Sequence, residues 1–306
     1  MRLLINAPFS EENRKKILAA GNYPDETDNI ELADVIIGDI PEEYYGRLGN
    51  LKWLQLTSAG ADKIIYGGAV SDRTLLTNAS GAFGEVISEY VVGGILCLFR
   101  DFFAYRVNQS ERRWRDTGKE RMIYGSRALI LGCGNIGRCV STRLRAFGAA
   151  TVGVRRSREK CAEFDETYPV ELLDELLPLA DIIICALPRT PSTERLLSRE
   201  RLALVRSDTL IVNVGRGSVI DTEAMCEKLQ SGGLYGAVLD VFESEPLDEG
   251  SPLWGMENVS ITPHISGNSF GHSARTEDLI AEICAENLRR FVSGEKPKNI
   301  VERELL

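Results

Sequence analysis

Short apolar runs alternate with helical stretches along almost the whole chain. "RLLINA", "ADVIIGD", "LKWLQLT" and "RTLLTN" supply four strand candidates before residue 80. A helical pattern then runs from Gly84 to about Gln109, with Val86, Ile87, Tyr90, Val91, Ile95, Leu98, Phe99 and Phe102 on helical spacing. The polar stretch "NQSERRWRDTGKER" reads as a loop. A second series of strands begins at "RALILG" and continues through "ATVGV", "ADIIICA", "DTLIVNV", "YGAVLDVF" and "NVSITP", and a last helix spans about Gly271 to Phe291. This alternation predicts an α/β fold with parallel sheets, in two units.

The second series opens on a phosphate-loop pattern. "LILGCGNIG" places Gly132, Gly134 and Gly137 in G-x-G-x-x-G spacing, with Asn135 and Ile136 inside it, directly after an apolar run and at the start of a helical one. In that context the glycines permit a tight turn and let backbone N–H groups approach a pyrophosphate, which points to a dinucleotide. About 20 residues on, NAD-binding folds place an acid that accepts bonds from the ribose hydroxyls. Here the strand "TVGV" runs into Arg155, Arg156 and Ser157. Guanidinium groups at that point suit the 2′-phosphate of NADP, which a carboxylate would repel. A pair of solvated surface arginines is the alternative. NADP(H) is therefore the expected cofactor, with NAD(H) possible.

Ligands of open parallel sheets lie beyond the carboxyl ends of the strands. Several special residues follow strands of the second series there: Leu187 and Pro188 in "ALPRTPST", Val214, Gly215 and Arg216 in "NVGRGSVID", Asp240 in "VLDVFESEP", and His264, Ser266 and Gly267 in "TPHISG". Arg216 lies between two glycines, which would let the backbone bend and a substrate come close. Its guanidinium is suited to clamping a carboxylate, although a structural salt bridge would also use it. His264 has Glu245 as the nearest plausible carboxylate. A carboxylate partner favours a protonated imidazole, ready to give its proton to an alkoxide as hydride arrives. His272 reads as a bystander.

Bulk properties remove other classes. At 306 residues with 43% hydrophobic and 26% charged content, the chain is an ordinary globular protein, and its net charge of −9 argues against nucleic acid. Seven cysteines form no C-x-x-C pair and only two histidines are present, which predicts free, mostly buried thiols and no metal site. Neither a signal h-region nor a membrane-length apolar run is visible, so a cytoplasmic protein is expected.

Five motifs in order and spacing, "LILGCGNIGR", "LPRTP", "NVGRGSVID", "GAVLDVFESEPL" and "TPHISG", resemble the D-isomer-specific 2-hydroxyacid dehydrogenases, and "LTSAGAD" and "LTNASGAFGEVISEYVV" extend the resemblance over essentially the whole chain. The resemblance implies two Rossmann-like or flavodoxin-like domains: a discontinuous substrate domain at 1–97 and 287–306, and an inserted dinucleotide-binding domain at 98–286. It implies a catalytic trio in which Arg216 binds the 2-oxoacid, His264 donates the proton and Glu245 supports the histidine. It also puts Asp240 near the nicotinamide amide, the N–H groups of Ala59 and Gly60 on the substrate carboxylate, and a homodimer around the nucleotide domain. Formate dehydrogenases of this superfamily carry Gln where Glu245 stands. Phosphoglycerate dehydrogenases are usually NAD-linked, with an acid where Arg155 stands. The expectation is thus an NADPH-dependent reductase of a small 2-oxoacid such as glyoxylate or hydroxypyruvate. An NAD-linked phosphoglycerate-type dehydrogenase and a dinucleotide-sensing corepressor-like binding protein are the alternatives.

Overall fold

The first four apolar runs form the strands expected of them: β1 (Leu3–Asn6), β2 (Val35–Gly38), β3 (Trp53–Gln55) and β4 (Leu75–Thr77), with α1 (Glu11–Gly21) and α2 (Asp62–Tyr66) among them. They pair in parallel in the order β1-β2-β3-β4, with Leu3 beside Val35, Val35 beside Trp53 and Trp53 beside Leu75. The computed structural model describes residues 1–21, 25–118 and 120–303.

Two compact units result, 1–83 with 268–306, and 84–267. The second contains α3 (Gly84–Phe99), α4 (Phe102–Ser110), β5 (Arg127–Leu131), α5 (Asn135–Ala146), β6 (Ala150–Arg155), β7 (Glu166–Pro169), α6 (Leu173–Leu176), β8 (Ile182–Cys185), α7 (Arg199–Leu204), β9 (Leu210–Asn213), α8 (Thr222–Gln230), β10 (Gly236–Leu239) and β11 (Val259–Ile261). Its seven strands are all parallel, in the order β11-β10-β9-β8-β5-β6-β7. The strand order reverses between β5 and β8, and this switch point is where doubly wound sheets bind ligands. Strands β8, β9 and β10 are buried along their whole length, as continuous apolar runs between two helical layers should be.

The last helix, α9 (Ala274–Val292), packs along α1 and belongs to the first unit. A buried polar network anchors it. Gln55 Oε1 accepts from Thr77 Oγ1 at 2.7 Å and from Asn287 Nδ2 at 2.8 Å, while Asn287 Oδ1 accepts from Lys298 N at 2.7 Å. The first unit is therefore discontinuous, as the resemblance implied.

Three details depart from the sequence reading. The helix expected over 84–109 is two helices, because Asp101 adopts a left-handed φ of 54° between α3 and α4. Strand β7 was not anticipated: "ETYP" has no apolar run, and it lies half-buried at the sheet edge, where alternation is weakest. The unit boundaries fall at 83/84 and 267/268 instead of 97/98 and 286/287. Helix α3 packs on α5 and against β9 and β10, and all of α9 packs with the first unit. Five of the seven cysteines are buried and two are half-buried; all seven are free thiols, and burial pushes Cys185 up to about 12. Among the described residues, no helix is long and apolar enough to cross a membrane.

Candidate active site

The carboxyl edge of the seven-stranded sheet is assembled from the loop after each strand. After β5, the three glycines do three different things. Gly132 has φ +108°, and a Cβ there would meet Ala186 O at 2.7 Å. Gly134 caps α5 with an extended backbone, makes no side-chain cap, and would have nothing within 4 Å of a Cβ. At Gly137 a Cβ would sit 1.9 Å from Gly132 O, so the helix can close on the turn only with glycine. The first and third residues thus make the loop possible, and the second leaves its outer side open. Helix α5 begins there, and the N–H groups of its first turn, at Asn135 and Ile136, have no acceptor within the helix. An open cradle at a helix N-terminus fits the pyrophosphate of a dinucleotide.

Strand β6 ends on Arg155, which is about a quarter exposed. Its guanidinium donates to Glu159 O at 3.3 Å and lies 3.6 Å from the Glu159 carboxylate. Arg156 is exposed. Ser157 Oγ is buried and has no hydrogen-bond partner among the described residues. A buried hydroxyl left unpaired costs about 1–3 kcal/mol.

Next to this loop, β8 and β9 bring up Leu187, Pro188, Val214 and Gly215. A Cβ on Gly215 would meet Leu187 O at 2.5 Å, and one on Gly217 would come within 1.8 Å of Phe242 C. The glycines flanking Arg216 were expected to admit a substrate. They instead admit the protein's own backbone, from the loops after β8 and β10, and Arg216 itself is held extended. Asn213, the last residue of β9, braces it: Nδ2 donates to Arg216 O at 3.0 Å and Oδ1 accepts from Gly215 N at 3.1 Å. Arg216 Nη1 also donates to Gly215 O at 2.9 Å.

The loops after β10 and β11 bring Glu245 and His264 together. His264 Nδ1 lies 2.8 Å from Glu245 Oε2, and the other oxygen, Oε1, accepts from Phe242 N at 3.0 Å. The imidazole is about half exposed, with Nε2 as the ring nitrogen away from the carboxylate. His264 has φ +55°, a left-handed conformation that costs a non-glycine residue about 1–2 kcal/mol. Asp240 is fully buried, and its carboxylate accepts from Thr262 Oγ1 at 2.6 Å, Ile265 N at 2.8 Å and Ser266 N at 3.0 Å. Gly267 closes this turn at the end of the unit.

The second unit therefore brings together the phosphate-loop residues, Arg155 to Ser157, Leu187 to Pro188, Val214 to Arg216, Asp240, Glu245 and His264 to Gly267. Ala59 and Gly60 lie in the first unit, just beyond β3. The bonds that shape their turn use its carbonyls, Ala59 O accepting from Asn78 Nδ2 and Gly60 O from Ser58 Oγ, both at 2.7 Å. His272 is also in the first unit. The sequence reading missed Asn213, Thr262 and Tyr90, whose hydroxyl lies 2.6 Å from Thr262 Oγ1. Tyr90 counted there as an apolar position on a helical face, and its polar tip was the available signal.

Residues 92–266, more than half of the chain, match the model of the D-isomer specific 2-hydroxyacid dehydrogenase NAD binding domain. A glyoxylate reductase of Pyrococcus horikoshii is 35% identical over 184 residues, a stretch that covers 60% of this chain and 54% of the relative. Among solved structures, a D-isomer specific 2-hydroxyacid dehydrogenase family protein from Aeromonas salmonicida superposes with a TM-score of 0.86 at 33% identity, covering 99% of both chains. An NADPH-dependent glyoxylate/hydroxypyruvate reductase from Sinorhizobium meliloti, in complex with NADP and sulfate, does so at 0.83 and 25%, again over 99% of each. With its glycine loop, its Glu245–His264 pair and its doubly wound sheet, the chain belongs to the D-isomer specific 2-hydroxyacid dehydrogenases, which are NAD(P)-dependent oxidoreductases.

Proposed function

We propose that this protein reduces a small 2-oxoacid, such as glyoxylate or hydroxypyruvate, to the D-2-hydroxyacid, with NADPH preferred over NADH. The observation that carries the reading is the 2.8 Å contact between His264 Nδ1 and Glu245 Oε2 in the unit that holds the glycine loop. When bound, the nicotinamide supplies the hydride that adds to the carbonyl carbon. Arg216 holds the substrate carboxylate and polarises the carbonyl. His264 gives the carbonyl oxygen the proton from Nε2, and solvent replaces it. Glu245 keeps the ring oriented by occupying Nδ1.

The preference for NADPH rests on the end of β6. Arg155 and Arg156 offer guanidinium groups there, and the unpaired Ser157 hydroxyl would find its acceptor in a phosphate oxygen. A homodimer is also proposed. Helix α4 has no buried residue, with Phe102, Phe103 and Val107 all exposed, and Trp114 beyond it is fully exposed.

Initial rates with glyoxylate, hydroxypyruvate and pyruvate, each with NADPH and with NADH, test the reading. Faster NADPH oxidation is expected with at least one of the three. Arg155→Ala combined with Arg156→Ala should raise the NADPH KM about tenfold to a hundredfold and leave NADH nearly unaffected. Equal loss with both cofactors would mean that the arginines do not read the 2′-phosphate. Binding of both cofactors without turnover would favour a sensing role.

A further inference from the structure

We infer that Tyr90 and Thr262 are positioning residues for the proton donor: a half-buried chain of two hydroxyls that sets the Asp240 carboxylate and, through it, the turn carrying His264. The inference rests on the reductase reading and adds to it two residues that act through Asp240.

Proton bookkeeping gives the chain its direction. Thr262 Oγ1 lies 2.6 Å from Asp240 Oδ1, and a carboxylate only accepts, so the threonine's single proton is directed there. Thr262 Oγ1 is also 2.6 Å from Tyr90 Oη, so in that contact the tyrosine must be the donor. Burial, reinforced by the nearby Asp240 charge, pushes the Tyr90 phenol up to about 12, and it keeps its proton at any ordinary pH.

At the far end of the chain, Asp240 gathers three consecutive backbone groups. Its carbonyl accepts from His264 N at 2.9 Å, Oδ1 from Ile265 N at 2.8 Å and Oδ2 from Ser266 N at 3.0 Å. Such convergence is what a left-handed residue requires, because the conformation persists only where its surroundings over-determine it. If the Thr262 donor is removed, the fully buried carboxylate lacks one partner and can rotate, and among the described residues its other bonds are to the turn that aims the imidazole. Thr262 N also donates to Leu239 O at 3.0 Å, so the threonine backbone stays in place while only its hydroxyl is deleted.

The test compares wild type, Thr262→Val, Thr262→Ser and Tyr90→Phe in NADPH-dependent glyoxylate reduction and in the imidazole nitrogen NMR spectrum. Only two histidines are present, so His272→Gln assigns the His264 signals. Thr262→Val should lower kcat about a hundredfold, the scale of a misplaced catalytic group, with the NADPH KM near wild type and the His264 resonances shifted. Thr262→Ser should restore both. Tyr90→Phe should lower kcat less, and adding it to Thr262→Val should cost nothing more, because the two hydroxyls act as one unit. A near-wild-type kcat in Thr262→Val overturns the inference, as does a loss of kcat with unshifted His264 resonances. If Thr262→Val does not fold, Tyr90→Phe decides by the same two readouts. A wild type inactive on every 2-oxoacid would remove the reductase reading, and the resonances would still report whether the two hydroxyls set the ring.

Discussion

His264 combines a half-exposed ring, a carboxylate on one nitrogen and a strained backbone, and each feature has a separate cause. The position after Pro263 at the end of β11 brings it to the sheet edge, Glu245 occupies Nδ1, and Asp240 holds the turn. His264→Ala should lower turnover by about 10²-fold or more, the usual contribution of general acid–base catalysis, while dinucleotide binding followed by fluorescence stays near wild type. Nearly full turnover in that variant would take the histidine out of the reaction. At this scale the candidate trio was legible in the sequence because Arg216, Glu245 and His264 are residue types suited to the proposed chemistry, placed at strand ends. The supports were not. Tyr90 and Thr262 are 172 positions apart, and no local pattern joins them.

The glycine loop shows how one element divides its requirements. Gly134→Ala adds a Cβ to open space at an ordinary φ of −77°, whereas Gly137→Ala drives one to 1.9 Å from Gly132 O. Gly137→Ala should therefore destabilise the protein by roughly 1–3 kcal/mol, as overpacking does, and impair dinucleotide binding as well. Gly134→Ala should keep the thermal unfolding midpoint of wild type yet weaken dinucleotide binding by about tenfold, the worth of one hydrogen bond to a charged group. Unchanged affinity in Gly134→Ala, measured by titration, would show that no phosphate approaches the open side. The spacing alone marked all three glycines. Which is steric and which is open depends on Ala186 and on the helix closing against the turn.

At the scale of the whole molecule, the exposed surface bears on association. Helix α4 exposes Phe102, Phe103 and Val107 on an element that contributes nothing to the core. Apolar surface of that kind is commonly covered by a partner. Light scattering on the purified protein should give twice the chain mass, and Phe102→Asp with Phe103→Asp should halve it with the fold retained. A wild-type monomer at micromolar concentration would rule out the dimer.

What the amino-acid order determined by itself was local or periodic. Apolar runs of strand length placed ten of the eleven strands, and the glycine spacing placed the dinucleotide loop, because both signals lie within about a dozen neighbouring residues. The edge strand β7 escaped, since a half-buried strand carries no continuous apolar run. The tertiary structure decided the rest. It ended the long helix at Asp101 and assigned α3 and α9 to their units through packing. It filled the spaces beside Gly215 and Gly217 with backbone from distant loops. It also joined Tyr90, Thr262 and Asp240 into one chain of donors. Those outcomes follow from contacts between residues far apart in the sequence, which exist only once the sheet has brought its strand ends together.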